Sequence, residues 1–123
     1  MTFASELEAA KPTYPFDRWL QSTELGFEQY TNENCEKVRK LFDTLIADLI
    51  LLGPNAPESD KLKKFETIVL TLNDLNEELY HCLIETGERE ELCALCNTIC
   101  KAARMDPSKY GDGVGPASNW RDW

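Results

Sequence analysis

Three cysteines fall at helical spacing in the last third of this sequence. Cys93-Ala-Leu-Cys96 is followed one turn later by Cys100, and His81-Cys82 lies a short way upstream. On a helix, positions i, i+3 and i+7 share a face, so three thiolates with His81 as a fourth ligand are a set from which a zinc centre can be built. Two features weigh against that reading. Structural CxxC pairs sit on tight turns, whereas this one lies inside an apolar helical pattern, and no second CxxC or HxxxH supplies the usual spacing. Small cysteines on the core face of a helix are the ordinary alternative, and the expectation is core packing with no metal or cofactor. A redox role fares worse, because Glu88, Glu90 and Glu91 precede Cys93 and oppose formation of its thiolate.

Hydrolytic chemistry needs a nucleophile, a base and a group that orients the base. His81 is the sole histidine and falls within a helical pattern. Neighbouring acids such as Glu77 and Glu78, or Glu90 and Glu91, point in different directions on a helix. Gly111-Asp-Gly113-Val-Gly115 follows no strand and lacks the lysine of a phosphate-binding loop. No residue is assigned a catalytic role, and the chain is not expected to be an enzyme.

Charge is the stronger signal. The 123 residues hold 22 acids and 13 bases, a formal net charge of −9. Affinity for nucleic-acid phosphates comes from cationic side chains that release counterions, so direct binding of DNA or RNA is disfavoured, as is an anionic membrane surface. Between Glu58 and Glu91 the bases Lys61, Lys63 and Lys64 cluster at the start, and Arg89 alone interrupts the acids of the 74–91 stretch. Asp74, Glu77, Glu78, Glu85, Glu88, Glu90 and Glu91 are therefore expected to form one acidic corner that docks in a basic cleft. The alternative is a solvated end of the molecule with acids capping a helix.

The elements that would carry this corner are helical throughout. Glu6 to Ala10 reads as a short helix stopped by Lys11-Pro12-Thr13-Tyr14-Pro15. Phe16, Trp19, Leu20, Phe27 and Tyr30 suggest an amphipathic second helix, weakened at Gly26. Thr31 or Asn32 caps a third, whose apolar positions run from Cys35 to Leu52 before Gly53-Pro54 stops it. Ser59 caps a long helix with Leu62, Phe65, Ile68 or Val69, Leu72, Leu75 and Leu79 on its stripe, ended by Thr86-Gly87. A last helix runs from about Glu88 to Met105. No alternation of strand type competes.

The expected fold is thus all-α: a single domain, residues 1–123, built as an antiparallel bundle of about four helices. Residues 1–30 form an N-terminal helical segment, 31–105 the three main helices, and 106–123 an irregular tail packed on them. Glycines and prolines keep that tail irregular, yet it carries Tyr110, Trp120 and Trp123. These indoles either cover a gap in the core or anchor a partner, since Trp, Tyr and Arg dominate interface hot spots. The N-terminus carries acids where a secretion signal needs bases and an apolar core. Five cysteines, an odd number, do not form a disulfide framework, and the expected location is cytoplasmic.

The segments Leu72-Asn-Asp-Leu-Asn-Glu-Glu-Leu-Tyr80 and Leu83-Ile-Glu-Thr-Gly-Glu-Arg-Glu-Glu-Leu-Cys93, with Trp120-Arg-Asp-Trp123, resemble the small all-helical immunity proteins of bacterial contact-dependent inhibition and related polymorphic toxin systems. The likeness covers roughly the C-terminal half and contains no specific motif, so no individual binding residue is carried over. It implies a cytoplasmic protein that neutralises one cognate toxin domain by occluding its active site. Many such toxins are nucleases with basic clefts, and an RNase, for instance of the EndoU type, would suit an acidic antidote. An acidic helical adaptor or regulatory protein with no toxin partner is the competing expectation.

Overall fold

The computed structural model describes residues 2–21, 31–79 and 83–123. Among them there is no strand, and the helices pack against one another as an all-α bundle with a C-terminal tail laid on it. Phe3–Glu8 forms α1, Phe16–Gln21 α2, Asn32–Leu52 α3, Glu58–Glu78 α4 and Thr86–Ala102 α5.

The local reasons are visible at most ends. The Thr2 side chain accepts a hydrogen bond from the Ser5 amide while the Ser5 hydroxyl accepts one from Thr2, a reciprocal cap that starts α1 at Phe3, three residues before the expected Glu6. Thr31 caps α3 by accepting from the Asn34 amide at 3.1 Å. Gly53 closes that helix at φ 87, a conformation favoured by glycine, and Pro54 prevents its continuation. The expected cap at Ser59 is replaced by Pro57, one residue ahead of the helix start, and Ser59 lies within the first turn of α4.

The largest departure concerns the turn between α4 and α5. The sequence pattern continues α4 to Thr86-Gly87, yet the helix ends at Glu78 and Thr86 begins α5. Buried Asn76 explains the break: its Oδ1 accepts the Ile84 amide at 2.9 Å and so closes the turn with a side chain where helical bonding would have needed a carbonyl. At its other end α5 stops at Ala102, short of the expected Met105. The Met105 amide donates back to Cys100 O and the Arg104 amide to Lys101 O, a Schellman closure with Arg104 in the left-handed region at φ 66. The residues Gly26, Phe27 and Tyr30 of the expected second helix lie outside the described residues, as do His81 and Cys82.

One core joins all of it. Phe16, Trp19, Val38, Phe42, Leu45, Ile46, Leu49, Phe65, Val69, Leu72, Leu83, Leu92 and Ile99 are each essentially inaccessible to water. α3 packs against α1, α2 and α4, as a short loop between α3 and α4 requires. α5 contacts α1, and the 3-10 turn Pro116–Asn119 of the tail touches both α4 and α5 and bridges them. Asn73 fixes that bridge. Its Nδ2 donates to Trp120 O at 3.0 Å and its Oδ1 accepts the Asp122 amide at 3.1 Å, so one buried amide serves the tail as a strand neighbour would. Trp120 and Trp123 are half-buried against the core, and the Arg121 guanidinium lies 5.7 Å from the centre of the Trp123 ring. Gly115 at φ 135 sits where a Cβ would collide with Asn97, whose Nδ2 donates to Val114 O.

Candidate functional site

α4 and α5 carry the acids of the corner, and the structure sorts them by where they stand on each helix. Asp74, Glu77 and Glu78 occupy the C-terminal end of α4, all three exposed. That end bears the negative pole of the helix dipole, where carboxylates are unfavourable and bases are usual. No base occupies the last turn of α4. Glu85 and Glu88 stand at the N-terminal end of α5, where the dipole favours them. They therefore have a structural reason to be acidic, which Glu77 and Glu78 lack. Glu90 is exposed in the second turn.

Glu91 turns away from the others. It pairs with Arg18 of α2 and lines a cavity of about 370 Å³ with Thr13, Tyr14, Pro15 and Leu95. The hydroxyl of Tyr14 donates to Asp43 at 2.9 Å; burial, then that bond, hold its ionisation far above the usual phenol range. A phenol held neutral in this way does not serve as a base at neutral pH.

Asp74 and Glu78 line a different feature, a groove of about 440 Å³ between α3 and α4. Lys37 and Lys40 of α3 form its other wall, and Leu41 and Leu75 form its floor. The stretch expected to be almost purely negative is thus bordered by two cations on this side. Their contribution is invisible in the local sequence, because the register of α3 on α4 sets it.

Asn76 ties the end of α4 to Ile84, just ahead of α5. Asn76→Ala removes the acceptor of a buried amide, and the expected result is a loss of about 1–3 kcal/mol of stability, measured by urea denaturation. A change below about 0.5 kcal/mol would show that water replaces the side chain there.

The cysteines are free thiols among the described residues, with Cys96 and Cys100 buried and Cys93 half-buried. Burial pushes the Cys100 thiol up to about 12 and Cys96 further still. Thiols so disposed are poor nucleophiles. Among the described residues no three His, Cys, Asp or Glu side chains are grouped to hold a metal ion. No described helix is long and apolar enough to cross a membrane.

Sequence reasoning passed over four groups that the structure makes important: Asn73, Asn76, Lys61 and the Lys37–Lys40 pair. The first three left a trace, since each interrupts an otherwise apolar stripe of α4. A polar residue on a core face is buried with a partner or it disrupts the core. The lysine pair left none. No family model matches this chain, and no curated protein and no solved structure is significantly similar to it.

Proposed function

We propose that the chain is a protein-binding antidote: it seats its acidic corner in the basic cleft of a cognate bacterial toxin domain, a nuclease and most simply an RNase, and blocks access to the active site. The observation that carries the binding half of this reading is the pair Glu77 and Glu78, exposed at the negative pole of α4 with no base in that last turn of the helix. Acids retained where they weaken their own helix point to a benefit gained outside the folded chain. A cationic partner supplies it, and long-range attraction would also speed encounter. The resemblance of residues 72–80, 83–93 and 120–123 to immunity proteins supports the toxin half. No cofactor, direct nucleic-acid contact or catalytic step enters this function, and its place of action is the cytoplasm.

The corner makes an unusual prediction because its two roles have opposite signs. Glu77→Lys with Glu78→Lys should raise the stability of the free chain by a few tenths to about 1 kcal/mol per residue and abolish partner binding. Glu88→Gln should lower stability by a similar few tenths to 1 kcal/mol. If the lysine pair destabilises the free chain, the acids are structural and the reading loses its support.

Identity of the partner is tested by affinity capture from the source bacterium at low salt, followed by assay of the captured protein. A single basic domain, bound one to one and losing RNase activity with one equivalent of the chain, is the expected result. Capture of regulators without nuclease activity would move the function to an acidic adaptor.

A further inference from the structure

We infer that the groove between α3 and α4 receives an amphipathic helix of the partner protein, apolar along one ridge, acidic on the flank facing α3 and basic on the flank facing α4. This deepens the reading above and rests on it, adding a second element of recognition beside the acidic corner.

The walls of the groove do not pair with each other. Lys37 and Lys40 on one side and Asp74 and Glu78 on the other line the same groove, yet among the described residues no ion pair closes across it. Lys40, Asp74 and Glu78 make no hydrogen bond or ion pair there, and Lys37 reaches only Glu33 at 3.5 Å, both side chains being more than half exposed. An exposed pair of that kind contributes little, so Lys37 is available. The α3–α4 packing holds the opposite charges apart, over a floor formed by half-buried Leu41 and by Leu75.

Two parallel rows of opposite charge above an apolar floor are the complement of one helix with a ridge at i, i+3, i+4 and i+7 and differently charged flanks. A purely basic partner segment would meet repulsion from Lys37 and Lys40, and a purely acidic one from Asp74 and Glu78. The groove is therefore selective in a way that the corner is not, because wrong partners are rejected by like charge. Asp74 and Glu78 belong to both features, which joins the groove to the corner.

The probe is a set of four hydrocarbon-stapled helical peptides that share one leucine ridge. Their flanks are acid and base, all base, all acid, and neutral; exchanging the two flanks of the first merely reverses the direction in which the helix lies. Binding to the full chain is read by fluorescence anisotropy at physiological salt. The mixed peptide should bind about tenfold more tightly than each of the others. Lys37→Glu with Lys40→Glu should transfer the preference to the all-base peptide, and Asp74→Lys with Glu78→Lys to the all-acid one. All four positions are exposed, and unchanged circular dichroism verifies that the variants fold.

If the all-base peptide binds best to the unaltered chain, acidity alone governs recognition: the groove inference fails while the corner reading stands. Equal binding of all four, or binding indifferent to both wall variants, also overturns it. A dimer of the chain that Lys40→Glu dissolves would place a second copy in the groove and overturn it as well. If the mixed peptide wins and Glu77→Lys with Glu85→Lys, neither of which lines the groove, leaves capture of the native partner unchanged, the groove stands and the corner reading fails.

Discussion

Lys61→Ala lowers the stability of the folded chain by about 2–5 kcal/mol. Lys61 is 3% exposed, an unusual position for an ammonium group. It is tolerated because its Nζ donates to Pro54 O at 2.9 Å and to Ala103 O at 2.8 Å, and lies 5.6 Å from the centre of the Phe3 ring. Those carbonyls belong to the loop after α3 and to the C-terminal end of α5, where the helix leaves acceptors unsatisfied. One side chain thus ties together three segments distant in sequence. Removing it strands two acceptors and opens a cavity along its stem. Lys61→Met separates the two contributions, since it keeps most of the stem and removes only the donors. Urea unfolding midpoints of both variants decide the matter. If Met restores nearly all of the lost stability, packing and not hydrogen bonding is the reason the lysine is buried.

Between about pH 9 and 10.5 stability should fall by roughly 1–3 kcal/mol per pH unit, at about 1.4 kcal/mol per uncompensated proton. Burial raises the thiols of Cys35, Cys93, Cys96 and Cys100, and desolvation also raises Tyr14. In the unfolded chain the thiols lose their protons near 9.0, whereas the folded chain keeps them. The folded state then binds more protons, so stability is complete below the unfolded value and declines above it. Lys61 acts in the other direction: burial lowers its ionisation below 10.5, and the unfolded chain holds its proton longer. That opposing group offsets part of the decline without reversing it. Urea midpoints at pH 8, 9 and 10 under reducing conditions measure the slope, and Cys96→Ala with Cys100→Ala should flatten it. A midpoint that stays constant over this range would mean that the thiols ionise as readily in the folded chain.

How much of this could be read in the sequence depended on whether local chemistry or tertiary contact made the decision. α3 was legible at both ends, because Thr31 and Gly53-Pro54 are local cap and stop signals and nothing distant competes with them. The end of α4 was not, since Leu79 to Leu83 continue the apolar spacing and only the Asn76–Ile84 hydrogen bond shows why the helix yields. Thr86-Gly87 is ambiguous in direction, since the same small pair suits the first turn of a helix, where it stands in α5, as well as the residues after a last one. Five of the acids are exposed as a charge run predicts, at Asp74, Glu77, Glu78, Glu85 and Glu90. The diversion of Glu91 to Arg18 and the approach of Lys37 and Lys40 to Asp74 and Glu78 depend on how helices lie on one another. Periodicity carries no information about that register.

The clasp of Asn73 on the tail has a consequence in time. The bond from Asn73 to Trp120 spans 47 residues, so it closes a long loop, and such contacts form late. α3 and α4, joined by a short loop, can pair while later residues are still being synthesised. The bridge between α4 and α5 waits for Pro116–Asn119. A nascent chain therefore passes through a stage in which its α3–α4 hairpin is assembled and its α4–α5 corner is not. In such a stage the groove is ready before the corner, and the order in which a partner is recognised can follow the order in which the chain is made.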